Sequence, residues 1–227
     1  MKIKELFEDT NAETRKWLSK WETACRGTLE KYRQEMSNYD IQHNGDIIYH
    51  GNLYILDDDF LDENSEIPIQ VKQCRRIQIG TTNLTSFNNC PKELSGVSQN
   101  LTDHIFVLRQ VFGDKSIFNN LTSLEGITPI IHGHVNLSAA PNISYSNANK
   151  HVKRIDGSLR INGNYKGPLL SLLKIQNLTM VYGGIDTLPE FDKACSIISN
   201  FLLRKDRNII ACQEELIKNG LKEYAKL

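Results

Sequence analysis

The sequence predicts an α+β protein with a long N-terminal helix, a central irregular leucine-rich-repeat-like or β-solenoid sheet, and a C-terminal helical tail. Apolar residues recur with helical spacing at the start of the chain, short β-rich runs follow, and helical spacing returns near the end. These changes of period predict three parts: an amphipathic helix (1–38), a repeat β region (39–166) and a helical region (167–227).

The first part predicts one long helix over about residues 11–38. Thr10 followed by Glu13 is a capping-box signature. The apolar stripe contains Trp17, Leu18, Trp21, Cys25, Leu29, Tyr32 and Met36. We expect this helix to cover one end of the next part, and the alternative is that the stripe binds a partner protein.

The central part combines turn signals with a recurring leucine. Asn44-Gly45 and Gly51-Asn52 are hairpin or turn signals between β-rich runs. Asn-Leu-Thr or Asn-Leu-Ser triplets begin at residues 83, 100, 120, 136 and 177. We expect each leucine to point into a narrow shared core and each asparagine to form a turn, because its amide bonds nearby backbone and tolerates left-handed dihedrals.

The last part predicts two helices. Thr187 and Glu190 form a second capping box, with Pro189 in the first turn. The buried stripe of this helix is predicted at Ala194, Ile197, Ile198 and Phe201. Asp206 or Asn208 can cap the final helix, whose apolar positions are Ile210, Leu216, Ile217, Leu221 and Tyr224. Gly220 predicts a break.

Composition narrows the classes of function. The chain has 27 basic and 27 acidic residues, so it carries no overall charge that would attract nucleic acid. Its five cysteines are scattered without a Cys-x-x-Cys pair, which argues against a disulfide framework and a zinc knuckle. The first residues lack the apolar segment of a secretory signal, and no apolar run is long enough to span a membrane. We therefore expect a cytoplasmic protein and interpret the triplets as repeats rather than glycosylation sites.

The segments IPIQVKQCRRIQIGTTNLTSFNNCP, NLTSLEG and RNIIACQEELIKNGLKEYAKL together resemble a group of bacteriophage-encoded proteins. Those proteins carry irregular leucine-rich-like repeats and end in a helical tail with a similar CQEELI–G–EYAKL signature. The resemblance covers roughly residues 38–227, and it is weaker where Asn-Asn-Cys replaces the usual Leu-Glu-Gly in the first unit. The group has no common activity, so the resemblance implies a phage origin and a binding architecture, without implying a reaction.

His132 and His134 are the first candidate for chemistry. Two imidazoles at i and i+2 on one strand would share a face and could hold a metal ion, but a third ligand is not evident; the alternative is a pair of half-exposed strand histidines. Lys150, Lys153, Arg154 and Arg160 form a loose basic cluster that could contact phosphates. We predict no catalytic residues, no cofactor and no metal.

The acidic run is the second candidate, as a surface for a protein partner. It contains Asp57, Asp58, Asp59, Asp62 and Glu63, and lacks the glycine and glutamate of an EF-hand. The interpretations are a solvated loop or a surface that docks on a basic partner. Arg75 and Arg76 are predicted to be exposed strand positions and are added to the predicted partner-binding set.

The leading hypothesis is a phage-encoded, non-enzymatic protein that binds a host bacterial protein and inhibits a restriction or phage-exclusion system. One alternative is a nucleic-acid or metal-binding protein with weak hydrolase potential, which would use His132, His134 and the basic cluster. Another is a virion or assembly component. Nucleic acid is the less favoured partner, and no membrane association is expected. Oligomeric state is open, because either the N-terminal helix or a second subunit could cover an exposed sheet edge.

Overall fold

The computed structural model describes residues 12, 16, 19, 39–42, 46–56, 58–68, 71–81, 83–96, 104–108, 118–184 and 186–226. Within them, twelve short strands form two six-stranded sheets, and successive strands from β2 to β11 alternate between the two sheets. Among these strands, only β1 and β2 pair antiparallel; the other pairs are parallel. This is an α/β fold.

Sheet A has the order β1-β2-β4-β6-β8-β10, and sheet B has the order β12-β11-β9-β7-β5-β3. The strands are β1 (Tyr39–Ile41), β2 (Ile47–Tyr49), β3 (Asn52–Ile55), β4 (Val71–Cys74), β5 (Arg76–Ile79), β6 (Glu93–Leu94), β7 (His104–Leu108), β8 (Ile130–Ile131), β9 (His134–Asn136), β10 (Arg154–Ile155), β11 (Ser158–Ile161) and β12 (Met180–Gly183). The α-helices are α1 (Ala148–His151), α2 (Pro189–Leu202) and α3 (Ile209–Lys218), and 3₁₀ helices span Asp58–Phe60 and Leu170–Lys174.

The predicted α+β class, with a leucine-rich-repeat-like or solenoid sheet behind a long N-terminal helix, is wrong. The described residues place parallel strands in two sheets, joined by tight corners such as Arg75 between β4 and β5. The prediction failed because strands of two to five residues carry too little alternation to reveal which sheet each one joins. Of the predicted N-terminal helix, Ala12, Lys16 and Ser19 are helical, and the remainder lies outside the described residues, so no long helix is shown.

A single hydrophobic core lies between the two sheets. Sheet A contributes Cys74, Leu94, Ile131 and Ile155, each at most 1 % exposed. Sheet B contributes Leu53, Ile77, Phe106, Val135, Leu159 and Val181, which lie opposite one another on successive strands. Strand register therefore stacks equivalent apolar residues into one continuous cluster.

The described triplet leucines are buried, as predicted: Leu84, Leu121, Leu137 and Leu178 are at most 1 % exposed. The predicted asparagine turns are confirmed at two triplets: Asn177 has positive φ, and Asn136 Oδ1 accepts from the Ser138 N–H at 3.0 Å. Outside the triplets, the Asn162 amide donates to the carbonyl of Ser138, 24 residues earlier, at 2.8 Å. Asparagine thus links consecutive units through side-chain to backbone bonds.

Helix α2 does not begin as predicted. Its N-cap is Leu188, with no side-chain capping bond, and the Thr187 hydroxyl donates instead to the Gly184 carbonyl. Pro189 at the first helical position is confirmed. The stripe predicted for this helix is buried at Ala194, Ile198 and Phe201, whereas Ile197 is half-buried.

Helix α3 begins and ends as its local signals predict. The Asn208 side chain accepts from the Ala211 N–H at 3.0 Å, which confirms this cap. Gly220 has φ of +79°, its N–H bonds the Ile217 carbonyl, and the Leu221 N–H bonds the Leu216 carbonyl. This pair of bonds is a Schellman motif and explains why the helix ends there.

The C-terminal helices close the β12 end of the stack. The Ser199 hydroxyl of α2 accepts from the Val181 N–H at 3.0 Å and donates to the Val181 carbonyl at 3.1 Å, so it satisfies the outer edge of sheet B. The Arg207 guanidinium donates to several carbonyls of the preceding segments, including Leu178 at 2.8 Å and Leu202 at 3.1 Å. The backbone groups of Val181 at this edge are thereby satisfied within the chain and are not available to another strand.

Candidate functional site

The outer face of sheet A, turned away from the core, carries a row of half-buried side chains. In register across β2, β4, β6, β8 and β10 lie Ile48, Gln73, Glu93, Ile130 and Arg154. Strands place successive side chains on opposite faces, so the neighbours of this row are the buried core residues. Helix α2 packs on β12 of sheet B and on α3, at the other end of the fold. The row therefore forms an accessible polar face with two apolar positions.

A groove of about 610 Å³ lies at the β2–β4–β6 end of this face. It is lined by Ile48, Tyr49, His50, Gln73, Arg75, Ser95 and Gly96. Three adjacent strands and the corners that follow them form its walls, because the parallel register brings residues 48, 73 and 93 into line. Tyr49 is buried, whereas Arg75 and Ser95 are exposed. The groove is open to a segment of another molecule.

A network of charged side chains lies at the other end of the same face. His132 Nδ1 is 2.7 Å from Asp156 Oδ2, and His132 Nε2 is 3.1 Å from Glu93 Oε1. Arg154 Nε donates to Asp156 Oδ1 at 2.7 Å, and the Asn177 amide donates to the same oxygen at 2.6 Å. These bonds connect Glu93 of β6 and Arg154 of β10 with the corners after β8 and β10 and with Asn177, which precedes β12. Because both ring nitrogens of His132 contact carboxylates, the network holds the face in place.

The charge of Asp156 is stabilised by this network. Partial burial acts to raise the pKa of its carboxyl, but hydrogen bonds from Arg154, Asn177 and His132 outweigh it and lower the pKa from 3.8 to about 2. Asp156 is therefore ionised at neutral pH and acts as a fixed acceptor.

The predicted shared face of His132 and His134 is wrong. His132 lies in the corner after β8 of sheet A, whereas His134 begins β9 of sheet B. His134 Nδ1 accepts from the Ser158 N–H at 3.0 Å and lies 2.9 Å from Ser158 Oγ. His104 Nε2 is 2.9 Å from the Tyr182 hydroxyl. In the parts of the chain that the structure covers, no group of three or more His, Cys, Asp or Glu residues could hold a metal ion.

The acidic run binds mainly to its own surroundings. The Asp58 carboxylate accepts from the Thr81 hydroxyl and the Asn83 amide. Asp62 Oδ1 accepts from the N–H groups of Asn64 and Glu66, at 2.8 and 3.0 Å. These bonds shape the loop between β3 and β4, as expected of short acidic side chains in turns.

The other members of the predicted partner-binding set are dispersed. Glu63 is exposed, Asp57 lies outside the described residues, and Asp59 is described only by its backbone. Arg75 precedes β5, whereas Thr81, which donates to Asp58 of the acidic loop, follows β5. Arg75 and the acidic loop therefore lie at opposite ends of this strand. Arg76 is half-buried on sheet B, and its Nε is buried without a hydrogen-bond partner. Only Arg75 lies in the groove.

The predicted basic cluster is divided between the two sheets. Arg154 lies on sheet A and pairs with Asp156, whereas Arg160 lies on sheet B, 5.9 Å from the centre of the Tyr182 ring. Lys153 donates to the Asn149 carbonyl at 3.0 Å. The cluster therefore does not form a common surface for phosphates.

The four described cysteines are buried: Cys74, Cys90, Cys195 and Cys212. Burial raises the pKa of each thiol, in the case of Cys212 to about 12. A thiol with a raised pKa is a poor nucleophile at neutral pH. The predicted role of Cys212 as a small buried residue is confirmed.

With the fold and this face described, the chain can be compared with known proteins. No family model, curated protein or solved structure matches it. Among the described residues, no helix combines the length and the apolar character needed to cross a membrane.

Three groove residues had no sequence signal: His50, Gln73 and Ser95. They are ordinary polar residues on separate strands or corners, and the register of β2, β4 and β6 brings them together. The charged network had a partial signal, because His132 was singled out, but its partners Glu93 and Asp156 are 39 and 24 residues away in sequence.

Proposed function

We propose that this chain is a non-enzymatic protein-binding protein whose partner binds the outer face of sheet A. The observation that carries the proposal is the half-exposed row on this face, because predominantly parallel sheets are normally covered on both faces. Ile48 and Ile130 offer apolar contacts among polar side chains, a composition found at protein interfaces. The network around His132 supports a preformed surface, which lowers the entropic cost of association.

The resemblance to bacteriophage-encoded proteins supports a more specific role. We propose that the partner is a host bacterial protein, and that binding blocks a component of a restriction or phage-exclusion system in the cytoplasm of the infected cell. Such inhibition needs only a stable contact, which is consistent with an extended face rather than a site built around reacting groups.

Affinity capture with two matched variants tests the proposal. The tagged chain, an Ile130→Glu variant and an Ile217→Glu variant are each used to capture proteins from lysates of bacterial strains that carry defence systems. Ile217 is 46 % exposed on α3, so it provides the same substitution away from sheet A. We expect one stoichiometric bacterial partner with the unaltered chain and with Ile217→Glu, and its loss with Ile130→Glu.

Circular dichroism and urea unfolding establish that both variants are folded. The absence of a stoichiometric partner across the strains would contradict the protein-binding function. A partner that folded Ile130→Glu still captures would instead place binding on another surface. Phage infection of the same strains, with and without the chain, tests the defence role: unchanged restriction of the phage would reject it.

A further inference from the structure

We infer that the groove of sheet A binds an acidic, extended segment of the partner protein, with Arg75 pairing with one of its carboxylates. The inference rests on the proposed protein-binding function and specifies the chemistry of the partner. It follows from the charges of the groove, the corner that carries Arg75 and the shape of the floor.

The charge of the groove favours an anionic occupant. Its described lining residues include no carboxylate. His50 Nε2 lies 3.0 Å from Asp40 Oδ2, and the nearby Lys72 ammonium lies 2.8 Å from Asp46 Oδ2, so each of these has an acidic neighbour. Arg75 is exposed and makes no salt bridge with the described part of the chain. Its guanidinium is therefore available to a carboxylate, which it can bind through two parallel hydrogen bonds.

The corner that contains Arg75 packs closely against the corner that contains Gly96. The Gly96 N–H donates to the Arg75 carbonyl at 3.0 Å. A Cβ at residue 96 would lie 2.4 Å from that carbonyl oxygen and 3.1 Å from Arg75 Cγ. Glycine thus permits the two adjacent corners to approach closely, because any larger residue at position 96 would collide with the Arg75 backbone.

The groove floor suits an extended chain. Ile48 and Gln73 lie opposite each other on neighbouring parallel strands, so an apolar and a polar side chain alternate across the floor. Every second side chain of an extended peptide points to the same face, about 6.6 Å apart. One side chain can contact Ile48 while an acidic residue two positions along reaches Arg75 at the rim.

Selection from a library of random short peptides displayed on phage tests the inference, because it requires no purified partner. The full-length chain is immobilised, and the enriched peptides are then synthesised with a fluorescent label for anisotropy titrations. We expect enriched peptides to contain Asp or Glu beside an apolar residue, and their affinity to fall as ionic strength rises.

Charge variants then locate the contact. Arg75→Glu should weaken binding by about tenfold or more, because it replaces attraction with repulsion at one rim position. Arg75→Lys should weaken binding by roughly threefold, because lysine keeps the positive charge but cannot form the two parallel hydrogen bonds of a guanidinium group. The matched control is Lys193→Glu, an exposed charge reversal on α2, for which we expect unchanged affinity. Peptides with Lys in place of the acidic residue should bind Arg75→Glu better than the unaltered chain.

Three results would overturn the inference: no enriched peptide, enriched peptides that lack carboxylates, or equal affinity for the unaltered chain and Arg75→Glu. Each leaves the broader function to be decided separately, because that function is tested by capture of a bacterial partner and by the effect of Ile130→Glu on that capture. The inference and the proposed function would both be supported by two results together. The Arg75→Glu variant fails to capture the partner, and acidic peptides compete with the partner for the unaltered chain.

Discussion

At the scale of single residues, Asp156 links the largest number of neighbours on the outer face of sheet A. It accepts hydrogen bonds from Arg154 and Asn177 through one oxygen, and its other oxygen lies 2.7 Å from His132 Nδ1. Its partners come from β10, from the corner after β8 and from the segment before β12, so its charge supports the relative positions of these segments. The residue is about one quarter exposed, and solvent screening reduces the energy of each contact.

Asp156 should make stability depend on pH in the acidic range. Its folded-state pKa of about 2 is below the ordinary 3.8, so its contribution is fully present above about pH 4 and is lost as pH falls towards 2. We expect Asp156→Asn to lower the free energy of unfolding at pH 7 by roughly 1 kcal/mol, after allowance for screening. Urea unfolding at several pH values should show that the difference in free energy of unfolding from the unaltered chain shrinks below pH 4 and is lost as pH falls through about 2.

Asp206→Asn is the matched control, because Asp206 is exposed and no hydrogen bond to it is found among the described residues. The free energy of unfolding of Asp206→Asn should differ from that of the unaltered chain by an amount that changes less between pH 4 and pH 2 than it does for Asp156→Asn. If both variants follow the same pH profile, the network does not stabilise the fold.

At the scale of elements, the edge of sheet B is the feature on which the C-terminal region depends. Strand β12 pairs with β11 on one side, and on the other side Ser199 satisfies both backbone groups of Val181. The alternation of apolar residues along α2 predicts that this helix packs, but it does not predict which strand it covers. Ser199 is a half-buried residue between apolar positions and has no distinctive signal of its own.

Replacement of Ser199 by Ala should leave the Val181 N–H without its partner. We expect the free energy of unfolding to fall by about 1–2 kcal/mol, since an unsatisfied buried donor costs its desolvation penalty. Ser196→Ala is the control, because Ser196 is exposed on the same helix and gains the same helical propensity. Equal stability of the two variants in urea unfolding would show that the edge bond contributes nothing.

At the scale of the whole molecule, the core crosses the boundary predicted between residues 166 and 167. The Tyr224 hydroxyl donates to the Tyr165 carbonyl at 3.2 Å, and the Leu169 N–H bonds the Tyr224 carbonyl at 3.2 Å. The rings of Tyr165 and Phe191 are 6.1 Å apart in an edge-to-face arrangement. The three predicted parts remain a prediction, but the last two share one hydrophobic cluster.

A chain truncated after Lys166 should therefore fail to fold cooperatively. It loses Leu170, Leu172 and Leu173 from the core and exposes the edge of β11 that β12 covers. We expect a broad thermal transition by circular dichroism and aggregation in size-exclusion chromatography, compared with a sharp transition for residues 1–227. A sharp, reversible transition of the truncated chain would establish the predicted region 39–166 as a unit that folds without the C-terminal helices.

The sequence alone determined the features that depend on neighbouring residues. Asn208 and Gly220 predicted the two ends of α3, because capping involves backbone groups within a few positions. The triplets predicted the burial of Leu84, Leu121 and Leu178, because a leucine beside a turn needs a core.

Only the tertiary structure decided the two-sheet arrangement and the candidate site. Glu93, His132 and Asp156 meet across 24 to 39 residues of chain, and the groove joins residues from β2, β4 and β6. Such contacts depend on strand register, which shifts every side chain to the other face if it slips by one residue. Very short strands specify that register only through the packing of the complete core, so local patterns reveal the turns and the leucines but not the surface they build.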